Sequence, residues 1–248
     1  MPDILVTDDG PIRTVRMNRP DKKNALTQAM YDALAEAIEQ AGPRAETRCL
    51  MIAGRPGVFC AGNDINDFVA ASQSGELGAP VLRFLHALAR CEKPLVAAVQ
   101  GAAVGIGTTM LLHCDYVVAA MDAKLVTPFA ALGLVPEAAS SLIVPRLMGH
   151  ARAFSMLVMG EPLTAEAARE AGIVNVVVPA AEVDARALTA AKAIAALPPE
   201  GVKASRRLLR GTPDEIVQRI DAEADAFKQR LRSPEAQAAF AAFLNRKR

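Results

Sequence analysis

Lys93-Pro-Leu-Val-Ala-Ala-Val-Gln-Gly-Ala-Ala-Val-Gly-Ile-Gly107 carries a continuous apolar run, Leu95–Val99, into a glycine-rich turn, Gly101–Gly107. An apolar helix is expected next over Thr108–His113, and Tyr116-Val-Val-Ala-Ala then reads as another buried strand. Strand, turn, helix and strand in that order imply an α/β fold with much parallel pairing. The turn is not a dinucleotide fingerprint, because Met110 stands where the third glycine belongs and no acid ends a strand about 20 residues on. Taken alone, it is a tight strand-to-helix connection with close packing. Its free amides at a helix start are also able to hold an anion or a developing oxyanion.

The same alternation extends upstream. Ile4-Leu-Val-Thr and Ile12–Met17 read as two strands across a hairpin-like turn, Asp8-Asp9-Gly10-Pro11. Thr27 is expected to cap a helix with Met30, Leu34, Ala37 and Ile38 on one face, and Cys49–Ala53 is a buried strand. Asn66–Pro80 is polar and weakly periodic, which predicts a mobile loop or lid before a helix over Val81–Arg90. Beyond about Gly149 helices dominate, with one short strand at Val174–Val178. Pro213–Leu231 sets Ile216, Ile220, Phe227 and Leu231 on one face, and a final helix over Pro234–Leu244 presents Phe240 and Phe243. The expected organisation is a core over residues 1–195 and a helical C-terminal region over 196–248.

Composition narrows the function classes. The chain has 248 residues, 52% of them hydrophobic, and a net charge of +1. Such a chain buries a real core and is no disordered segment. The charge balance argues against a dedicated nucleic-acid or polybasic membrane protein, and the absence of Trp against base-stacking platforms. Cys49, Cys60, Cys91 and Cys114 show no metal-ligand spacing and do not cluster with His86, His113 or His150, so no metal site is expected. Neither a secretory leader nor an uninterrupted membrane-length run is seen, which predicts a cytoplasmic protein with reduced thiols.

A second turn, Phe59-Cys-Ala-Gly-Asn-Asp-Ile65, also follows a strand, and Asn63 or Asp64 could cap the helical turn after it. Two such turns from strands of one sheet could aim two backbone amides at a single carbonyl oxygen, as an acyl-transfer or enolate-forming site requires.

Over nearly its whole length the sequence resembles the crotonase (enoyl-CoA hydratase/isomerase) superfamily. The resemblance rests on the two turn motifs above together with Asn18-Arg-Pro-Asp-Lys-Lys-Asn-Ala-Leu26, Cys114-Asp115 and Leu163-Thr-Ala-Glu-Ala-Ala-Arg-Glu-Ala-Gly172. It implies a spiral of ββα units, a helical C-terminal trimerisation region giving a homotrimer or dimer of trimers, and an acyl-CoA thioester as ligand. Coenzyme A is then part of the substrate, and no cofactor, nucleic acid or membrane partner is implied. The oxyanion-hole amides fall to Asn63 and Ile106. The hydratase acids are missing, since their positions read Thr109 and Thr127-Pro128-Phe129.

An acid follows in Leu132-Gly-Leu-Val-Pro-Glu137-Ala-Ala-Ser-Ser, which looks like the catalytic glutamate stretch of the peroxisomal-type enoyl-CoA isomerases. Read locally, Pro136 and Glu137 suit a helix start, where acids are ordinary. Read with the resemblance, Glu137 is the catalytic base and acid, walled by Ile106, Phe129, Leu132 and Leu134. Coenzyme contacts are implied for Arg19, Lys22, Lys23, Ala25, Ala61, Asp64 and Ile65, a solvated charged turn being the alternative for the three cations. Lys203, Arg206, Arg207 and Arg210 form a basic stripe whose default reading is a solvated face, as it is for the basic end of the chain, 245–248. His86, His113 and His150 are expected to be structural or surface residues. The reading that results is a 3-enoyl-CoA to 2-enoyl-CoA isomerase. A hydratase, another enolate chemistry on the same hole, and a non-catalytic acyl-CoA-binding module are the alternatives.

Overall fold

The computed structural model describes residues 1–74 and 78–245. Strands β1 (Ile4–Asp9) and β2 (Ile12–Met17) form the expected antiparallel hairpin around Gly10. Thr27 accepts the Met30 N–H at 3.3 Å and so starts α1 (Gln28–Ala41), which buries Met30, Leu34 and Ile38. The wholly buried β3 (Cys49–Ala53) lies parallel to β2, and the short β4 (Val58–Cys60) follows it.

The segment expected as a mobile loop is instead helical over α2 (Ile65–Ser74), and residues 75–77 lie outside the described ones. Asp64 Oδ1 accepts the Asn66 N–H at 2.9 Å in its first turn, and Phe68 packs against Phe227 and Phe240 from distant helices. Tertiary contacts of this kind override weak local periodicity. Next come α3 (Ala79–Arg90) and β5 (Leu95–Val99), which is parallel to β3.

Part of the glycine-rich turn is itself a strand, β6 (Ala102–Val104), too short and too closely flanked by glycine to show a period. Helix α4 (Ile106–Thr109) accordingly begins two residues before the expected Thr108, and a 3-10 turn, Met110–His113, completes it. Strand β7 (Tyr116–Ala120) pairs parallel with β5, and β8 (Lys124–Val126) with β6. Helix α5 (Ser140–Met148) begins only at Ser140, so Glu137 does not sit at a helix start; it precedes a turn.

The remainder comprises α6 (His150–Phe154), β9 (Leu163–Thr164), α7 (Ala165–Glu170), β10 (Val176–Val178), α8 (Val183–Ala195), α9 (Pro199–Arg210), α10 (Pro213–Leu231) and α11 (Pro234–Asn245). β10 is the strand expected from Val174, and β9 is an additional antiparallel neighbour of β8.

The described strands form a six-stranded sheet in the order β1-β2-β3-β5-β7-β10 and a four-stranded sheet in the order β4-β6-β8-β9. The strand pairs β3/β4, β5/β6 and β7/β8 each give one strand to each sheet, so the chain winds as successive ββα turns of a spiral. The core lies between the large sheet and helices α1, α3 and α8. No described helix is long and apolar enough to cross a membrane.

Candidate active site

The chain leaves β4 and β6 at neighbouring points, because these short strands pair in parallel, Cys60 beside Ala103. Both turns therefore open on the same side. Gly105, at φ 54° and ψ −119°, adopts a conformation denied to other residues, and Ile106 follows it as the first residue of α4. Gly107 lets α4 approach β4 closely, since a Cβ there would lie 2.7 Å from the Cys60 carbonyl oxygen. The Thr108 hydroxyl ties α4 to the sheet, donating to Ala103 O at 2.6 Å and accepting the Val126 N–H at 3.1 Å.

Residues 19–26 zip along the first turn. Ala61 N–H donates to Lys23 O (3.0 Å), Leu26 N–H to Gly62 O (2.8 Å) and Asp64 N–H to Leu26 O (2.8 Å). This ladder passes over Asn63. Among the described residues, no acceptor within the protein takes the N–H of Asn63 or of Ile106. The Asn63 side chain is fixed from behind: buried Tyr31 of α1 donates its hydroxyl to Asn63 Oδ1 at 2.6 Å. Burial, and then the charge of Glu137, push the Tyr31 phenol well above its usual pKa, so it remains a donor.

Asn63 and Ile106 line a cavity of about 560 Å³ with Glu137. Its apolar wall includes Phe129, Leu132 and Leu134, as expected, and also Phe68, Phe227 and Phe240, which sequence reasoning did not place there. Burial pushes the Glu137 carboxyl up to about 8; the Thr109 hydroxyl, which donates to it, works against that shift, and the charge of Glu223 adds to it. Thr109 Oγ1 also lies 3.3 Å from Gly105 O, so it links the base to the turn that carries Ile106.

The cavity is also lined by Lys22, Lys23, Ala25, Ala61, Asp64 and Ile65, the residues expected to meet the coenzyme. Two of the expected coenzyme contacts have other work. Arg19 donates to Asp64 Oδ2 at 2.7 Å and to Ala25 O at 2.9 Å, which joins the two loops. Although burial opposes its charge, the Asp64 carboxyl is held below the usual range by Arg19 and the Asn66 N–H.

The basic stripe of α9 is exposed at Lys203 and Arg207, as expected, but Arg206 and Arg210 are half-buried and engaged. Lys203 pairs with Glu92 at 2.7 Å, Arg206 with Asp115 at 2.7 Å, and Arg210 reaches His113 O at 3.0 Å. His86 meets Asp221 at 2.7 Å away from the cavity, whereas His113 is buried next to the Glu137 turn. Phe243 and residues 246–248 lie outside what the structure describes of side chains or backbone.

A pocket in which a half-buried carboxyl, raised in pKa and without a cationic partner, lines the wall with two uncommitted amides is suited to proton transfer next to a carbonyl. The sequence model of a family described as enoyl-CoA hydratase/isomerase matches residues 8–248. The chain is 37% identical over 250 residues to enoyl-CoA delta isomerase 2 of Rattus norvegicus, covering 98% of this chain and 64% of that protein. It is 37% identical over 169 residues to the 1,2-epoxyphenylacetyl-CoA isomerase of Escherichia coli, covering 66% of this chain and 64% of that protein. The chain thus spans about 64% of the length of these curated relatives. The structure of Pseudomonas aeruginosa OdaA superposes with a TM-score of 0.93 at 43% identity, covering 98% of each chain. With its ββα spiral, its two turns and its matched length, the chain belongs to the enoyl-CoA hydratase/isomerase family of the crotonase superfamily.

Proposed function

We propose that this protein is an enoyl-CoA isomerase that moves a β,γ double bond of an acyl-CoA thioester to the α,β position. The observation that carries the reading is that, among the described residues lining the cavity, Glu137 is the one carboxyl that is neither exposed nor paired with a cation. Of the other carboxyls lining the cavity, Asp64 is paired with Arg19 and Asp21 is exposed. The two positions at which the hydratases carry acids hold no carboxylate, and the Thr127 hydroxyl is engaged with Met156 O at 2.6 Å. One carboxyl suffices for a 1,3 proton shift, whereas positioning and activating water calls for two. The delta isomerase name of the rat relative agrees with this reading.

In this mechanism the thioester oxygen takes hydrogen bonds from the Asn63 and Ile106 amides. Ionised Glu137 removes the α-proton; the C–H pair forms the enolate double bond and the carbonyl π pair moves to oxygen. The carbonyl then re-forms, the enolate pair becomes the α,β double bond, and the old β,γ π pair takes the proton back at the γ-carbon. While Glu137 is neutral it can donate to Thr109 Oγ1, whose own proton can turn to Gly105 O. The hydroxyl thus serves both states of the shuttle. No cofactor enters beyond the coenzyme A carried by the substrate. In this reading the exposed Lys22 and Lys23 meet its phosphates, and Ala61, Asp64 and Ile65 meet the pantetheine and adenine mainly through backbone atoms; that all five line the cavity supports it.

The same reading makes the protein a homotrimer or dimer of trimers. In support, α9 buries none of its residues, and Leu208 and Leu209 are 86% and 88% exposed. The free thiols of Cys49, Cys60, Cys91 and Cys114 fit a reducing compartment such as the cytoplasm. The test is a parallel assay of the purified protein on 3-hexenoyl-CoA and 2-hexenoyl-CoA. Isomerisation of the first with little hydration of the second is expected; efficient hydration without isomerisation contradicts the proposal.

A further inference from the structure

Glu137 is followed by two alanines in a conformation that alanine avoids. Ala138 and Ala139 have φ of 60° and 57°, and the Ser140 N–H closes onto Glu137 O at 3.1 Å. This is a turn of mirror-image hand, a shape usually built on Asn-Gly. Two successive alanines with positive φ persist only where the surroundings over-determine them.

The surroundings act from two sides. From the turn after α4, the buried His113 places Nε2 2.8 Å from Ala138 O. Burial first, and then the nearby Arg210, push its pKa down to about 4, so the ring is neutral. Its buried Nδ1 has no hydrogen-bond partner, which assigns the ring proton to Nε2. From α10, Glu223 Oε2 accepts the Ala139 N–H at 2.6 Å, while Oε1 accepts the Ser141 N–H at 2.9 Å and the Ser141 hydroxyl. Glu223 falls on the apolar face of α10, between Ile220 and Phe227, and is itself buried. A carboxylate on a helix's core face is costly unless it is paired or hydrogen-bonded, and Glu223 is held by these hydrogen bonds. Here its recorded backbone partners are the amides of the segment directly after Glu137.

We infer that Glu223 and His113 are positioning residues, which clamp the Ala138–Ala139 turn in its left-handed form and thereby hold the Glu137 carboxyl at the reacting carbons. Glu223 touches no reacting atom. It acts through the turn, because a relaxed, right-handed Ala138–Ala139 turn would rotate the Glu137 backbone and swing its side chain off target. The inference rests on the reading of Glu137 as the base.

The test compares wild type, Glu223→Gln, the double variant Glu223→Gln/Ala139→Gly and Glu137→Gln, measuring kcat and KM with 3-hexenoyl-CoA and thermal melting. In Glu223→Gln an amide faces the Ala139 or Ser141 N–H in place of one acceptor. Its kcat is expected to fall about 10- to 100-fold, the scale of a misplaced catalytic group, with KM within about twofold of wild type. Glycine adopts a left-handed conformation freely, so Ala139→Gly is expected to restore kcat at least about fivefold. A Glu223→Gln enzyme with kcat within about twofold of wild type overturns the inference. So does a loss of kcat that the glycine leaves unrestored, the mark of a merely structural contact. If Glu223→Gln does not fold, Glu223→Asp retracts the carboxylate by one methylene, and the same loss and rescue are required of it. Full turnover by Glu137→Gln removes the base reading and this inference with it. Loss of turnover in Glu137→Gln with none in Glu223→Gln removes this inference alone.

Discussion

Glu137 shows how a residue's position and its chemistry become legible by different routes. Its candidacy came from a Pro-Glu before small residues together with the missing hydratase acids. Its local setting differs from the sequence expectation: Pro136-Glu137 has the pattern of a helix start, and the structure places a mirror-image turn there. Thr109, Tyr31, His113 and Glu223 were not identifiable as partners, since each reaches the site from a separate element. Glu223 did leave a trace, a lone acid on the apolar face of α10. With the carboxyl pushed up to about 8 by burial, kcat/KM is expected to rise with pH on a limb of apparent pKa about 8. Thr109→Val removes a hydrogen bond that favours the ionised form, so the limb should move to higher pH; a limb unmoved or lowered contradicts the role given to that hydroxyl. Stability follows the same shift. In the unfolded chain the carboxyl titrates near 4.5, in the folded protein near 8. The stability contributed by the neutral buried acid is complete below pH 4.5 and is lost as pH rises through 8. Glu137→Gln stays neutral throughout. Its melting temperature relative to wild type should therefore climb between pH 5 and 8, by the equivalent of about 2–5 kcal/mol. An unchanged difference at both pH values contradicts the burial assigned to this group.

Among the elements, those with strong local signals matched the sequence reading closely. The Thr27-capped α1, the apolar strands β3, β5 and β7, and α10 over Pro213–Leu231 are examples. What escaped was short or dependent on distant partners. β6 and β9 are too brief to show a period, and α2 is supported by Phe227 and Phe240 from the far end of the chain. The placing of the Asn63 and Ile106 amides, the proposed oxyanion hole, depends on just such a short element, since β6 and β4 set the two turns side by side. Gly107→Ala is therefore a severe test: its Cβ would meet the Cys60 carbonyl at 2.7 Å, backbone that cannot swing aside. We expect a loss of about 1–3 kcal/mol of stability, with kcat falling further than the remaining folded fraction explains. Wild-type kcat at full stability would show that α4 and β4 are not in this close contact.

For the whole molecule, the sequence alternation was enough to infer an α/β chain, and the resemblance supplied the spiral. Neither could show that α10 and α11 turn back to wall the cavity with Phe227 and Phe240, because no local pattern records which helix faces which pocket. The exposed apolar residues of α9 belong to this scale as well. Sedimentation at micromolar concentration is expected to give a trimer or hexamer, and Leu208→Lys/Leu209→Lys to shift it toward the monomer; a wild-type monomer contradicts the proposed assembly. The central claim is that one carboxyl, set beside two backbone amides, performs the proton shift. Turnover of 3-hexenoyl-CoA by Glu137→Gln, with binding of a saturated acyl-CoA measured alongside, tests it most directly. Turnover is expected to fall by about 10²–10⁴ with thioester affinity nearly unchanged; a variant that binds the thioester and isomerises at the wild-type rate rules out Glu137 as the base.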